Sequence, residues 1–394
     1  MAKYNFDEII ERRHTDSIKW SKKRLKEDFG AEDSVPMWIA DMDFKAAPPI
    51  IDAIIERAKH GVYGYGHKTD EFLDAAVNWQ QKRNGWAIQQ DWILFTPGII
   101  PALNFILQNF CNPGDKVIIQ SPVYYPFANI INNNGMHIAN NPLILKNGRY
   151  EMDFQQLEEM ARDGRAKVMI LCNPHNPVGR VWTLEELKRA GEICIKHDVL
   201  VVTDEIHSDL VYPPHKHIPF GKISQEFNMN SIVCTSPSKT FNLAGLQLSN
   251  IIVPNEKLRR ELNHKISTID IDPNSFATVA QIAAYNQGEE WLEKLLVYLA
   301  RNLDFIEEFL KEQMPRVRMI RPEATYLAWL DFSDYGLADK ALSELMQKKA
   351  KVAMDDGFIF GAGGEQFQRI NFACPKSMLK KALENIRDSL DSLK

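Results

Sequence analysis

Four short runs between residues 116 and 236 have uninterrupted apolar centres: KVIIQ at 116–120, KVMILC at 167–172, VLVVTDE at 199–205 and SIVCTS at 231–236. A strand with one wet face alternates apolar and polar residues, so continuous runs of this kind point to strands buried on both faces. Between the second and third runs lies TLEELKRAGEICIKH at 183–197, where Thr183 is followed three residues later by Glu186. That is a capping box opening an amphipathic helix. Strands alternating with helices imply an α/β fold built on a mainly parallel sheet with helices on both faces.

The flanks extend this frame. Pro48 to His60 reads as a helix with Ile50, Ile51, Ile54, Ile55 and Ala58 on one face, and Thr69 to Arg83 as a second, capped by Thr69 and stopped at Gly85. After residue 290 the character changes. One long amphipathic helix at 291–313 is followed by strand-like TYLAWLDF at 325–332, a helix from Leu337 to Lys349, RINFAC at 369–374 and a last helix after Pro375. This suits a smaller α+β domain. The expected division is a large domain over 46–290 and a small one formed by 1–45 together with 291–394, as befits a chain of 394 residues.

Composition narrows the function. The formal net charge is −5 and no Lys/Arg-rich block stands out, which argues against nucleic acid as a partner. No apolar run approaches the roughly 18–20 residues of a membrane span. The first residues, MAKYNFDEIIERRHTD, are too charged for a signal peptide. The five cysteines are scattered without a Cys-x-x-Cys pair, so neither a disulfide framework nor a zinc site is expected, and a cytoplasmic location fits. His207, His215 and His217 lack metal-site spacing, and GAGG at 361–364 precedes a strand where a dinucleotide fingerprint should follow one.

Three polar clusters fall just after expected strands: NPHNPVG at 173–179, DEIHSD at 204–209 and SPSKT at 236–240. In a parallel sheet such strand ends share one edge, and ligands bind in the crevice outside it. Lys239 could form an imine there if desolvated, although a lone lysine is more often a solvated surface group. Ser236 and Ser238 are short hydroxyl donors suited to a phosphate. Asp204, ending an apolar run, needs a partner: a cationic ring nitrogen, a helix N-terminus or an ion pair would serve. Asn173 and Asn176 are turn formers that could also bind a ligand oxygen. In TPGIIPA at 96–102, the backbone N–H groups of Gly98, Ile99 and Ile100 would open a helix and attract phosphate. Arg369, among apolar neighbours, either pairs internally or takes a carboxylate in a bidentate way.

Taken in order, PGII, PVYYPF, NPHNPVG, DEIHSD, SPSKTFNLAG and RINFACP resemble the class I/II aminotransferases, the fold-type I pyridoxal-phosphate (PLP) enzymes, over nearly the whole chain. MWIADMDF at 37–44, YGYGHKTDEF at 63–72 and ATYLAWLDF at 324–332 resemble the MalY/PatB-type C–S lyases within that group, which include cystathionine β-lyases. The resemblance implies that Lys239 is the Schiff-base lysine and proton shuttle, that Asp204 pairs with the pyridine nitrogen and that Asn176 binds the phenolic oxygen. Tyr124 would stack on the ring. Ile99, Ile100, Ser236 and Ser238 would hold the phosphate, and Arg369 the substrate α-carboxylate. Tyr65 would reach the phosphate of the neighbouring subunit in a homodimer with shared active sites. Typical aminotransferases carry Tyr three residues after the Asp; here His207 stands there, which favours the lyases. The implied reaction is β-elimination from cystathionine or a similar cysteine S-conjugate. An aminotransferase, or a PLP-binding regulator with little turnover, is the alternative.

Overall fold

The computed structural model describes residues 4–393; residues 1–3 and 394, counted above with the smaller domain, lie outside the described residues. Its centre is a seven-stranded sheet. In chain order the strands are β1 (Ile93–Thr96), β2 (Lys116–Ile119), β3 (His137–Asn140), β4 (Ala166–Cys172), β5 (Leu200–Asp204), β6 (Ser231–Thr235) and β7 (Ser249–Ile252). They lie side by side as β1-β7-β6-β5-β4-β2-β3. β7 runs antiparallel to both its neighbours, and the pairings from β6 through to β3 are parallel. Val168, Ile170 and Cys172 pack into one buried cluster while Met169 and Leu171 pack into another, so β4 is covered on both faces. From Val168 to Cys172 the run has no charged residue because neither face meets water.

The helices begin and end where their caps sit. α1 (Pro48–His60) opens on proline and stops at Gly61, whose φ of 75° lies in the left-handed region. α2 (Asp70–Asn84) is capped by the Thr69 hydroxyl, which accepts from the Phe72 amide, and ends at Gly85. α3 (Ile99–Phe110) follows β1 directly. In α4 (Leu184–Lys196) both halves of the capping box at Thr183 and Glu186 are made. α5 (Pro237–Thr240) is one turn after β6, α6 (Ser275–Gln287) packs on α1 and α2, and α7 (Glu289–Gln313) is the long amphipathic helix. A last helix, α8 (Lys376–Asp391), follows Pro375.

A second, antiparallel sheet of four strands, β8 (Arg318–Ile320), β9 (Leu327–Asp331), β10 (Asp355–Asp356) and β11 (Phe367–Asn371), has the order β8-β9-β11-β10. The helix expected from Leu337 to Lys349 is not continuous. It is α-helical over Asp339–Glu344 and then widens into a π-helical turn over Leu345–Ala350, which carries Leu345, Met346 and Ala350 into buried positions.

The N-terminal segment straps this second sheet to the first. Val35 and Pro36 pair in parallel with Val352 and Ala353, and the Asn371 amide donates to the Met37 carbonyl at 2.8 Å. Asp43 anchors the strap. It accepts from Arg12 at 2.6 Å and from Lys19 and the Trp20 indole at 2.7 Å each, with Lys19 fully buried.

Candidate active site

The ends of β4, β5 and β6 are level: Cys172 is paired with Asp204, and Asp204 with Cys234. The three polar clusters therefore leave the sheet side by side, around a cavity of about 170 Å³. Lys239, Asp204, Asn176, Tyr124, His207 and Ser238 line it, together with Gly98, Ile99 and Ile100 at the start of α3. Asn173 is fully buried beside it, with its side-chain amide donating to the Ile218 carbonyl.

Lys239 sits in α5, so the turn that follows β6 aims its side chain back over the sheet edge. Its Nζ donates to the Ala40 carbonyl at 2.6 Å, and the Tyr326 hydroxyl donates to the same oxygen at 2.8 Å. Burial pushes the amine down to about 8; Arg369 adds to this, and Asp41 and Asp204 oppose it. Asp204 is pushed the other way. Burial raises its carboxyl to about 7, against the Ile206 amide donating to Oδ1 at 3.1 Å and the charge of Lys239. Burial, helped by Lys239 and Arg369, lowers His207 to about 3, so its imidazole is neutral, and its buried Nδ1 has no hydrogen-bond partner among the described residues.

Gly98 precedes α3 with φ 132°, a backbone conformation that favours glycine, and no side chain caps this helix. The first amides of α3 thus open onto the cavity without a side-chain acceptor. Ser238 lines the cavity, but Ser236, expected beside it, does not. Ser236 caps α5 instead: its hydroxyl lies 2.8 Å from Ser238 Oγ and 2.7 Å from the Leu248 carbonyl and accepts from the Ser238 amide. It is spent on holding the turn that carries Ser238 and Lys239.

Arg369 comes from β11, on the second sheet, and is buried. Its Nη1 donates to Asn176 Oδ1 at 3.0 Å and its Nη2 to the Trp38 carbonyl at 3.0 Å. Of the two readings open from sequence, an ion pair is present: Nη2 also meets Asp355. Tyr65 stands apart. It is fully exposed, in the loop between α1 and α2, and does not line the cavity of its own chain.

No local pattern marks Ala40, Trp38 or Asp355 as parts of this site. The first two act through backbone oxygens, which carry no residue-type signature. The strap MWIADMDF that holds them is distinctive as a string, and its role emerges only when it crosses the sheet edge. All five cysteines are buried and unpaired, and burial raises Cys111 and Cys194 to about 12. Among the described residues no helix is long and apolar enough to cross a membrane.

The family model "Aminotransferase class I and II" matches residues 36–386. Cystathionine beta-lyase PatB of Bacillus subtilis (strain 168) is 45% identical, with 98% of this chain and 100% of that protein covered. Protein MalY of Escherichia coli (strain K12) is 32% identical, covering 99% of this chain and all of MalY. The solved structure of the PLP-bound C–S lyase from Staphylococcus hominis superposes with a TM-score of 0.92 at 35% identity, with 98% of each chain covered. With a match this long, and a cavity where strand ends, a half-buried lysine and a buried acid converge, the chain belongs to the class I and II aminotransferases, in the branch that contains PatB and MalY.

Proposed function

We propose that this protein is a PLP-dependent carbon–sulfur lyase that cleaves cystathionine or a related cysteine S-conjugate by β-elimination. The observation that carries the reading is the pairing, in one cavity, of the half-buried amine of Lys239 with the buried acid of Asp204. Pyridoxal phosphate fits what surrounds them. The uncapped start of α3 offers the Ile99 and Ile100 amides to a phosphate, and Ser238 adds a hydroxyl, with Ser236 fixing it from behind. Asp204 makes no ion pair among the described residues and would gain one with a protonated ring nitrogen. Asn176 has its oxygen engaged by Arg369, which leaves its amide N–H₂ as the end that donates to a phenolic oxygen. Tyr124 supplies the stacking face, and neutral His207 lines the same cavity. Residues 46–290 form the cofactor-binding unit, and 1–45 with 291–394 bring Arg369 to it. Two copies pair so that Tyr65 of each completes the other's phosphate site.

Bound here, pyridoxal phosphate supplies an electron sink for the charge left at the substrate α-carbon. The chain does the rest. Arg369 holds the α-carboxylate. Lys239 anchors the cofactor, and its Nζ, whose ammonium burial makes acidic enough to lose its proton near pH 8, takes the α-proton as the free amine. Asp204 keeps a negative charge where the ring nitrogen needs one. The Cβ–S bond breaks with its electron pair on sulfur, a good leaving group with a conjugate-acid pKa of about 8.5. With one water added, the products are a thiol, pyruvate and ammonia. The test is to supply cystathionine without any 2-oxo acid and follow thiol and pyruvate over many turnovers. Equal accumulation of both is expected. If neither forms, and glutamate appears once 2-oxoglutarate is added with an amino donor, the protein is an aminotransferase instead.

A further inference from the structure

Arg369 already has a carboxylate. β10 and β11 are paired with Asp355 opposite Arg369, so the acid is built into the sheet beside the guanidinium rather than swung in from a loop. The two side chains are 11% and 3% exposed. The fork is crowded on every side. Nη1 is on Asn176, Nη2 is divided between the Trp38 carbonyl and Asp355, and the Phe360 ring lies 4.9 Å from Cζ. Nε is buried and has no partner among the described residues. A substrate carboxylate binding side-on needs Nε together with Nη2, and both Nη2 hydrogens are in use.

We propose that Asp355 is an internal carboxylate that competes with the incoming amino acid for Arg369, and so sets how tightly the site takes its substrate. This rests on Arg369 being the α-carboxylate ligand. Two carboxylates on one buried guanidinium leave an uncompensated negative charge, which is costly away from water. The Trp38 carbonyl accepts from Arg369 as part of the strap backbone, so the relief falls on the Asp355 side chain, which gives up its hydrogen bond and takes up a proton. Its surroundings favour that. Burial already raises the Asp355 carboxyl, Asp356 adds to the rise, and Arg369 alone opposes it. The other titratable groups facing it are the hydroxyls of Tyr124 and Tyr125, both still protonated at neutral pH. Asp356 is itself held by Gln368 at 2.6 Å and Ser343 at 2.8 Å. Binding of a carboxylate thus takes up a proton, and affinity falls as pH rises.

The experiment uses the PLP-loaded enzyme and three variants of the same site. Asp355→Asn keeps the shape and an acceptor for Arg369 but removes the charge, and its KM for cystathionine should fall roughly tenfold. On the unaltered enzyme, competitive inhibition by propionate, which stays ionised throughout, should weaken from pH 6 to pH 8, by at most about tenfold per unit for one proton. In Asp355→Asn that dependence should flatten. A rise in KM for Asp355→Asn, or propionate inhibition independent of pH in the unaltered enzyme, overturns the competition and leaves Asp355 as a group that only orients Arg369. Arg369→Lys separates the two ideas. If it leaves both KM and propionate inhibition unchanged, Arg369 does not bind the carboxylate at all; if it weakens both while Asp355→Asn gains nothing, the competition alone is wrong. Asp355→Ala provides a check should the asparagine variant fold poorly, with the same direction expected.

Discussion

At Lys239 the amine rests on a backbone oxygen rather than on an acid, and this decides how it behaves before the cofactor arrives. A carboxylate partner would hold the proton; the Ala40 carbonyl accepts a hydrogen bond without adding a full charge. Burial then dominates and brings the amine to about 8. Capture of an aldehyde needs the neutral amine, which is scarce below that value and prevalent above it. The rate at which cofactor-free protein takes up PLP should therefore rise with pH through about 8 and level off beyond it, followed by absorbance. Borohydride should fix the cofactor on Lys239, located by peptide mapping. Lys239→Ala should bind it only non-covalently and lose turnover by several orders of magnitude, because one side chain is both anchor and base. A rate of uptake that is flat across pH 7–9 would contradict the neutral-amine argument.

Among the elements, those buried on both faces were the most legible. The runs at 116, 167, 199 and 231 have unbroken apolar centres because β2, β4, β5 and β6 lie inside the sheet. β3, with the sequence HIAN, is an edge strand and is only partly buried, so its string has no apolar run. β7 reads SNII because its Asn250 is satisfied by Gln281 of α6, a tertiary contact no local pattern contains. The same holds at the site. Lys239, Asp204 and Asn176 follow strand ends and could be read from position, whereas Asp355 acquires its meaning only through its pairing with Arg369 across two strands. The strap is the element whose failure should be most visible. Asp43 holds the charges of Lys19 and Arg12 together, and removing it leaves the fully buried Lys19 ammonium, among the described residues, with the Asp41 carboxyl 3.5 Å away and a carbonyl. Asp43→Ala should cost about 3–5 kcal/mol of unfolding free energy, measured by urea denaturation of the unaltered and variant proteins side by side. A change within experimental scatter would mean the strap is held by its backbone pairing alone.

On the scale of the whole molecule the cavity draws on both sheets, and the exposed Tyr65 suggests that it draws on a second chain as well. Tyr65 leaves its own surface with no contact to the cavity, in a loop that also exposes Val62 and Tyr63. If Tyr65 serves the neighbour, Tyr65→Ala and Lys239→Ala chains are each defective for a different reason, and a mixed dimer keeps one complete site. Equal mixing after subunit exchange should recover about a quarter of normal activity, since half of the dimers are hybrids with one intact site of two. Exchange without recovery would show that each site is built from one chain.

The five buried cysteines carry a consequence for a protein whose product is a thiol. None of the five is exposed, and those flanking Asp204, Cys172 and Cys234, are held far from ionisation by burial next to that acid. Thiol–disulfide exchange needs a thiolate and a disulfide; the five cysteines are unpaired and buried, so the released thiol has no protein disulfide to attack. The catalyst is chemically silent toward its own product. A colorimetric thiol reagent added during turnover should accordingly report substrate sulfur from a zero baseline, and the same reagent in denaturant should jump by five equivalents per chain. Any signal from native protein before substrate is added would mean that the strand ends open on their own, and would make the reagent a clock for that opening.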